Sequence, residues 1–220
     1  MPSDRRLVIS EQVSLARLGT GLRGMVRRKP DGEADAFPGV EYVIGNFDDP
    51  ASLRRVLEGI ERAFLVTNST ERAEAQQLSF IEQARAAGVR HIVYLSQLHA
   101  DANSPVRFLR YHAVVEEAIS SSGFAFTHLR PNLYMQGLLG FRSSIAAEGR
   151  FFAPVGDARV SIVDVRDIAA VAAAALTEHG HQGNTSLLSS AGRGGRGIFS
   201  PLGCPARSPS YPARALVRSV

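Results

Sequence analysis

The sequence predicts an α/β protein built on a doubly wound parallel sheet, and three observations point there. The stretch Gly88 to Ser96 holds a short apolar run, Ile92-Val93-Tyr94-Leu95, with polar residues after it. Such a run reads as a strand buried on both faces. Helical stretches flank it, Glu71 to Ala87 ending at Gly88 and Phe108 to Ser122 ending near Gly123. The joints between them are short, so strand and helix alternate as in βαβ units. Ligands of such sheets lie beyond the carboxyl ends of the strands, which makes Ser96 and its loop the first place to expect chemistry.

The totals set bounds. A chain of 220 residues buries a substantial core and is most simply one domain. Its longest apolar run, Ile168 to Leu176, is too short to span a bilayer. The N-terminus lacks the apolar stretch of a signal peptide, so a cytoplasmic protein without a membrane partner is expected. Cys204 is the only cysteine, which excludes an internal disulfide and a thiolate metal cluster; no metal site is expected. The net charge of +4 comes from the tail. Residues 191–220 hold five arginines and no acid, while 1–190 hold 20 basic and 21 acidic residues. The body is near neutral and offers no general case for nucleic acid. Nothing in the sequence speaks to oligomeric state.

Leu7 to Ser10 reads as a first strand and Glu11 to Leu18 as a short helix ending at Gly19. A dinucleotide-binding turn needs glycines between these two, so that a pyrophosphate can approach the helix N-terminus. Ser10 instead runs directly into Glu11, whose carboxylate repels phosphate, and no glycine-rich first turn is recognisable. Leu22 to Val26 reads as the second strand, followed by Arg27-Arg28-Lys29. Cations at that strand end suit a 2′-phosphate and favour NADP(H) over NAD(H), which prefers an acid there. A solvated basic turn is the alternative.

Val40 to Ile44 is the third strand. Asp49, Pro50 and the apolar face Leu53, Val56 and Leu57 then start a helix. Arg62 to Thr67 is the fourth strand, and Asn68-Ser69-Thr70 supplies a polar loop with a ready helix cap. Phe124 to Leu129 is another strand, which Pro131 is expected to stop. Asp164 precedes an alanine-rich helix, Ile168 to Thr177. Gly, Pro and Ser make up 13 of the last 30 residues, so 191–220 is expected to be a disordered tail outside a 1–190 domain.

These pieces together resemble the NmrA-like branch of the atypical short-chain dehydrogenase/reductases. The matching text is Val26-Arg27-Arg28, Gly45-Asn46-Phe47-Asp48-Asp49-Pro50-Ala51-Ser52-Leu53, Ala86 to Ser96, Leu129-Arg130-Pro131-Asn132 and Val163 to Ala169. The resemblance implies a Rossmann-like NAD(P)H-binding domain with a small C-terminal substrate region, truncated here, to which residues 130–190 contribute. It also implies hydride transfer to a small carbonyl- or quinone-like compound; other members sense the cofactor without turning it over.

Carried over by position, Arg27 and Arg28 look like 2′-phosphate contacts. Asn46 and Phe47 match the loop beside the adenine, and Thr67 and Asn68 lie along the middle of the cofactor. Ser96 and His112 fall near the nicotinamide, and Asn132 and Tyr134 on the substrate side. Ser96, Tyr111 and His112 form a candidate proton-relay cluster, since a histidine near its ordinary pKa can hold or donate a proton at neutral pH. The Tyr-x-x-x-Lys pair of conventional relatives is impossible, because Lys29 is the only lysine. The alternatives are a non-catalytic NADP(H)-sensing regulator or a degenerate member that has lost the cofactor. Loss of pattern at both ends suggests a shifted reading frame or a misplaced start, which resequencing the gene would test.

Overall fold

The computed structural model describes residues 6–8, 21–29, 40–150, 161–190 and 215–219, with the backbone alone at 6–8, 189–190 and 215–219. Ten strands and five α-helices follow in chain order among these residues. They are β1 (Arg6–Val8), β2 (Leu22–Val26), β3 (Val40–Ile44), α1 (Pro50–Leu57), β4 (Arg62–Leu65), α2 (Ala73–Ala86), β5 (His91–Leu95) and α3 (Arg107–Ser121). Next come β6 (Ala125–Pro131), β7 (Leu133–Tyr134), α4 (Arg142–Glu148), β8 (Ile162–Val163), α5 (Val165–Thr177), β9 (Asn184–Ser190) and β10 (Ala215–Ser219). The main sheet runs β10-β9-β6-β5-β4-β1-β2-β3, parallel throughout except for β10 against β9. Strands β1 to β6 thus follow the 3-2-1-4-5-6 order, whose direction reverses beside β1.

Strand periodicity explains the two layers. Ala63, Leu65, Ile92 and Tyr94 point to one face and pack with Leu53, Val56, Phe80, Ile81, Val115 and Ile119 from α1, α2 and α3. Phe64 and Val93 point to the other face, against Ile168, Ala172, Ala175 and Leu176 of α5. Alanine lets α5 lie close on the sheet. β7 and β8 form a separate parallel pair.

Several boundaries differ from expectation for local reasons. Thr70 does not cap α2 with its side chain; its carbonyl accepts from Ala73 N, and the helix starts two residues later than read. β6 runs through Pro131, in register with Leu188, because a last residue needs no N–H in the ladder. Within the stretch expected to carry no pattern, Ala215–Ser219 pairs antiparallel with β9 and covers an edge that would otherwise present open backbone groups. The predicted helix 11–18, the first turn and residues 191–214 of the tail lie outside the described residues. Among the described residues no helix is long and apolar enough to cross a membrane.

Buried polar groups tie the layers together. Arg23 of β2 donates to the Val56 and Glu58 carbonyls (both 2.9 Å) and to Glu41 of β3 (3.0 Å). Glu116 of α3 receives Arg130 of β6 through both carboxylate oxygens. His91 at the start of β5 and His128 in the middle of β6 are both buried. The Thr127 hydroxyl donates to the His181 carbonyl (2.7 Å), so His91 Nε2 is the donor in its 3.0 Å bond to Thr127. Burial lowers the pKa of His91, His112 and His128 to about 4 each, opposed at His112 and His128 by Glu116.

Two outcomes follow from this packing. Three histidines are held neutral in the fold but protonate near pH 6.5 once unfolded, so the unfolded chain binds more protons between these limits. Stability is therefore full above about pH 6.5 and falls as pH drops toward 4, with up to three protons taken up on unfolding; calorimetry across pH 7.5 to 4.5 checks this. The second concerns Gly45, where a Cβ would fall 2.7 Å from Met25 Sδ and 2.8 Å from Val56 Cγ2. Gly45→Ala should destabilise by about 1–3 kcal/mol through overpacking, read as a lowered Tm.

Candidate functional site

The sheet order directs the site. β1 stands between β2 and β4, where the strand order reverses, and the carboxyl edge at such a point is where sheets of this kind open a crevice. A cleft of about 310 Å³ lies there, walled by the ends of β2 (Met25, Val26, Arg27), β3 (Gly45, Asn46, Phe47), β4 (Val66, Thr67, Asn68) and β5 (Leu95, Ser96, Gln97). Phe108 and His112 of α3, Tyr134 of β7, and Val165 and Ile168 of α5 close it.

Each wall is shaped by its own sequence. The β3–α1 loop is held by Ser52, whose hydroxyl accepts from Asn46 N (2.9 Å) and lies 2.8 Å from the Asp49 carbonyl. Asn46 Oδ1 accepts from Asp48 N (3.1 Å), and Asp49 caps α1 through Ala51 N (3.0 Å). Gly45 permits the loop to cross against Met25 and Val56. On the far side Asp164 caps α5 through Arg166 N (2.8 Å), and its carboxyl is held well below the usual range, chiefly by the Arg166 side chain. Gln136 then bonds Asp164 Oδ1 (3.1 Å) and Val165 N (3.1 Å), seating the segment after β7 beside the cleft.

Of the residues expected to serve the site, Arg27, Asn46, Phe47, Thr67, Asn68, Ser96, His112 and Tyr134 line this one cleft. Arg28, Tyr111 and Asn132 do not. Arg28 follows Arg27 in the bend after β2 and is not part of the cleft wall. Tyr111 is 1 % exposed, lies behind the wall and donates to Ser69 Oγ (3.3 Å), which does line the cleft. Asn132 is half-buried outside it. The proton-relay expectation changes with this geometry: burial takes the His112 pKa to about 4, so the ring is neutral at pH 7. Gly45, Ser52 and Tyr94 lie within the matching text and Gln77 outside it, and none of the four was expected to serve the site. Gln77 and Tyr94 could have been found only by noting polar groups at buried positions of α2 and β5.

The cleft suits a nucleotide cofactor on this chain's own chemistry. Ser96 is 2 % exposed, and its hydroxyl has no hydrogen-bond partner among the described residues although it stands on the cleft wall. A buried hydroxyl left unpaired is costly, and a bound polar group offsets that cost. At the mouth, an adjoining depression is lined by Arg27, Asn46, Asp48, Asp49, Ser52 and Arg55. Asp48 is engaged by Arg72 (2.9 Å) and Gln76 (2.8 Å), and Asp49 by its cap. The two guanidinium groups there face a site whose acids are already paired. Among the described residues no group of His, Cys, Asp and Glu is arranged to hold a metal ion.

Comparison with known proteins agrees with this arrangement. The chain is 37% identical over 190 residues to a (4-alkanoyl-5-oxo-2,5-dihydrofuran-3-yl)methyl phosphate reductase of Streptomyces griseus, covering 78% of this chain and 67% of that one. It is 35% identical over 144 residues to an NAD(P)H azoreductase of Xenophilus azovorans, covering 66% and 50% respectively. Among solved structures, an NADPH-dependent quinone oxidoreductase from Escherichia coli, complexed with NADPH, superposes with a TM-score of 0.75 at 27% identity, over 84% of this chain and 69% of that one. The chain spans about half to two thirds of the length of these curated relatives. Residues 12–193 match the NmrA-like family, and the chain belongs to that family.

Proposed function

We propose that this chain binds NAD(P)H, with NADP(H) preferred over NAD(H), and serves hydride transfer to a small carbonyl- or quinone-like acceptor. The observation that carries the reading is the cleft at the sheet's carboxyl edge, with Arg27 on its wall and a Ser96 hydroxyl that has no hydrogen-bond partner among the described residues. Relatives named as an NAD(P)H azoreductase and a quinone oxidoreductase support the reaction class. When bound, the nicotinamide supplies the hydride.

The residues have distinct parts in this reading. Arg27 meets the 2′-phosphate, as a cation at the end of the second strand does in a dinucleotide site. Asn46 and Phe47 border the adenine, and Phe47 is braced by Phe80 with ring centroids 6.0 Å apart. Thr67 and Asn68 run along the middle of the cofactor. Ser96 bonds a polar group of the nicotinamide end, and His112 is a neutral hydrogen-bonding group rather than a cation. Tyr134, 38 % exposed, stands at the substrate entrance, with Val165 and Ile168 excluding water on the opposite wall.

Calorimetric titration with NADPH and NADH tests the reading. NADPH should bind at least about tenfold tighter, the equivalent of one charge-assisted hydrogen bond. Arg27→Ala should erase that advantage while leaving NADH unchanged, and Arg28→Ala should retain it. No binding of either nucleotide at millimolar concentration would overturn the proposal.

A further inference from the structure

A chain of buried side chains joins two walls of the cleft beneath its floor. Tyr94 of β5 is fully buried, and its hydroxyl lies 2.7 Å from Gln77 Oε1 and 2.6 Å from His112 Nδ1. Gln77 of α2, 1 % exposed, in turn donates its Nε2 to Thr67 Oγ1. The two ends, Thr67 and His112, both line the cleft. The middle of the chain touches neither solvent nor the cleft.

Proton counting gives the chain a direction. A phenol has one proton, and Gln77 Oε1 can only accept, so the Tyr94 proton points to Gln77. Burial raises the Tyr94 pKa, and the hydroxyl stays protonated. Its oxygen then offers His112 only lone pairs, so the proton of the neutral ring sits on Nδ1. At the other end Thr67 Oγ1 accepts from Gln77, which leaves its own proton free to point into the cleft. The rings of Tyr111 and Phe108 hold the imidazole in place, with centroids 4.3 Å and 4.8 Å away.

We propose that Tyr94 and Gln77 are positioning residues that lock His112 as the Nδ1-protonated tautomer, so that His112 Nε2 presents a hydrogen-bond acceptor to the cleft and Thr67 a donor. A ligand held there offers an N–H or O–H to His112 and a carbonyl or other acceptor oxygen to Thr67. His112 thereby orients a donor group and does not itself deliver a proton. This assignment concerns the free protein and does not need the cofactor; only its effect on turnover rests on the function proposed above.

Long-range ¹⁵N–¹H correlation spectra of the histidine side chains at pH 7 test it on the full chain. His112 should show a protonated Nδ1 and a bare Nε2, identified by loss of its signals in His112→Asn. Tyr94→Phe keeps the ring and removes the acceptor, and should shift the population toward the Nε2-protonated form. Turnover with NADPH should fall about tenfold in Tyr94→Phe, the rate equivalent of one neutral hydrogen bond. A wild-type spectrum with Nε2 protonated overturns the proposal even if the variant fails to fold. An unchanged tautomer in a folded Tyr94→Phe overturns it as well. Failure of NADPH to bind leaves the spectra readable and counts only against the function.

Discussion

The burial of β5 on both faces is the constraint on which the rest depends. Ile92 and Tyr94 pack under α1–α3, and Val93 packs under α5, so no side chain of the strand interior reaches solvent. Chemistry is thereby pushed to the strand's end, where Ser96 N bonds the Leu129 carbonyl (2.8 Å) and the chain turns across the carboxyl edge. The same burial leaves the Tyr94 hydroxyl no water to bond. It must find partners within the core, and those partners lead to the cleft on both sides.

Polar burial in this protein thus has two kinds of consequence. Arg23 and the Arg130–Glu116 pair join elements distant in sequence, each with its bonding capacity met by neighbours. They hold strands and helices in register without facing a ligand. Ser96 differs in having no partner for its hydroxyl among the described residues, and His112 in having one nitrogen engaged while its ring lines the cleft. Buried ring nitrogens of His91 and His128 also lack partners among the described residues, so it is position on the cleft wall that marks out Ser96 and His112.

Much of this was readable in the residues. Alternating short strands and helices, glycines after helices and the Asp49-Pro50 and Asp164 starts placed most elements within a residue or two. Site residues at strand ends (Arg27, Asn46, Thr67, Ser96) were accessible because topology alone puts strand ends at the crevice. The failures have physical causes. Which of two adjacent arginines lines the cleft is set by the bend after Val26, where Arg27 lines it and Arg28 does not. Tyr111 and His112 are neighbours on a helix, about 100° apart, so only one could look into the cleft. The role of Gln77 arises from a fold that brings α2 over β5, and no spacing in the chain records that contact. The behaviour of His112 depends on its burial, which its immediate neighbours in sequence do not reveal.

The central claim is that the carboxyl-edge cleft takes up a nicotinamide dinucleotide, and hydrogen–deuterium exchange with and without NADPH tests it most directly. The account predicts slowed exchange at residues 45–47, 67–70 and 95–97, with β9 (Asn184–Ser190) at the far side of the sheet unchanged. Slowing confined to other segments, or no slowing at saturating NADPH, would contradict it.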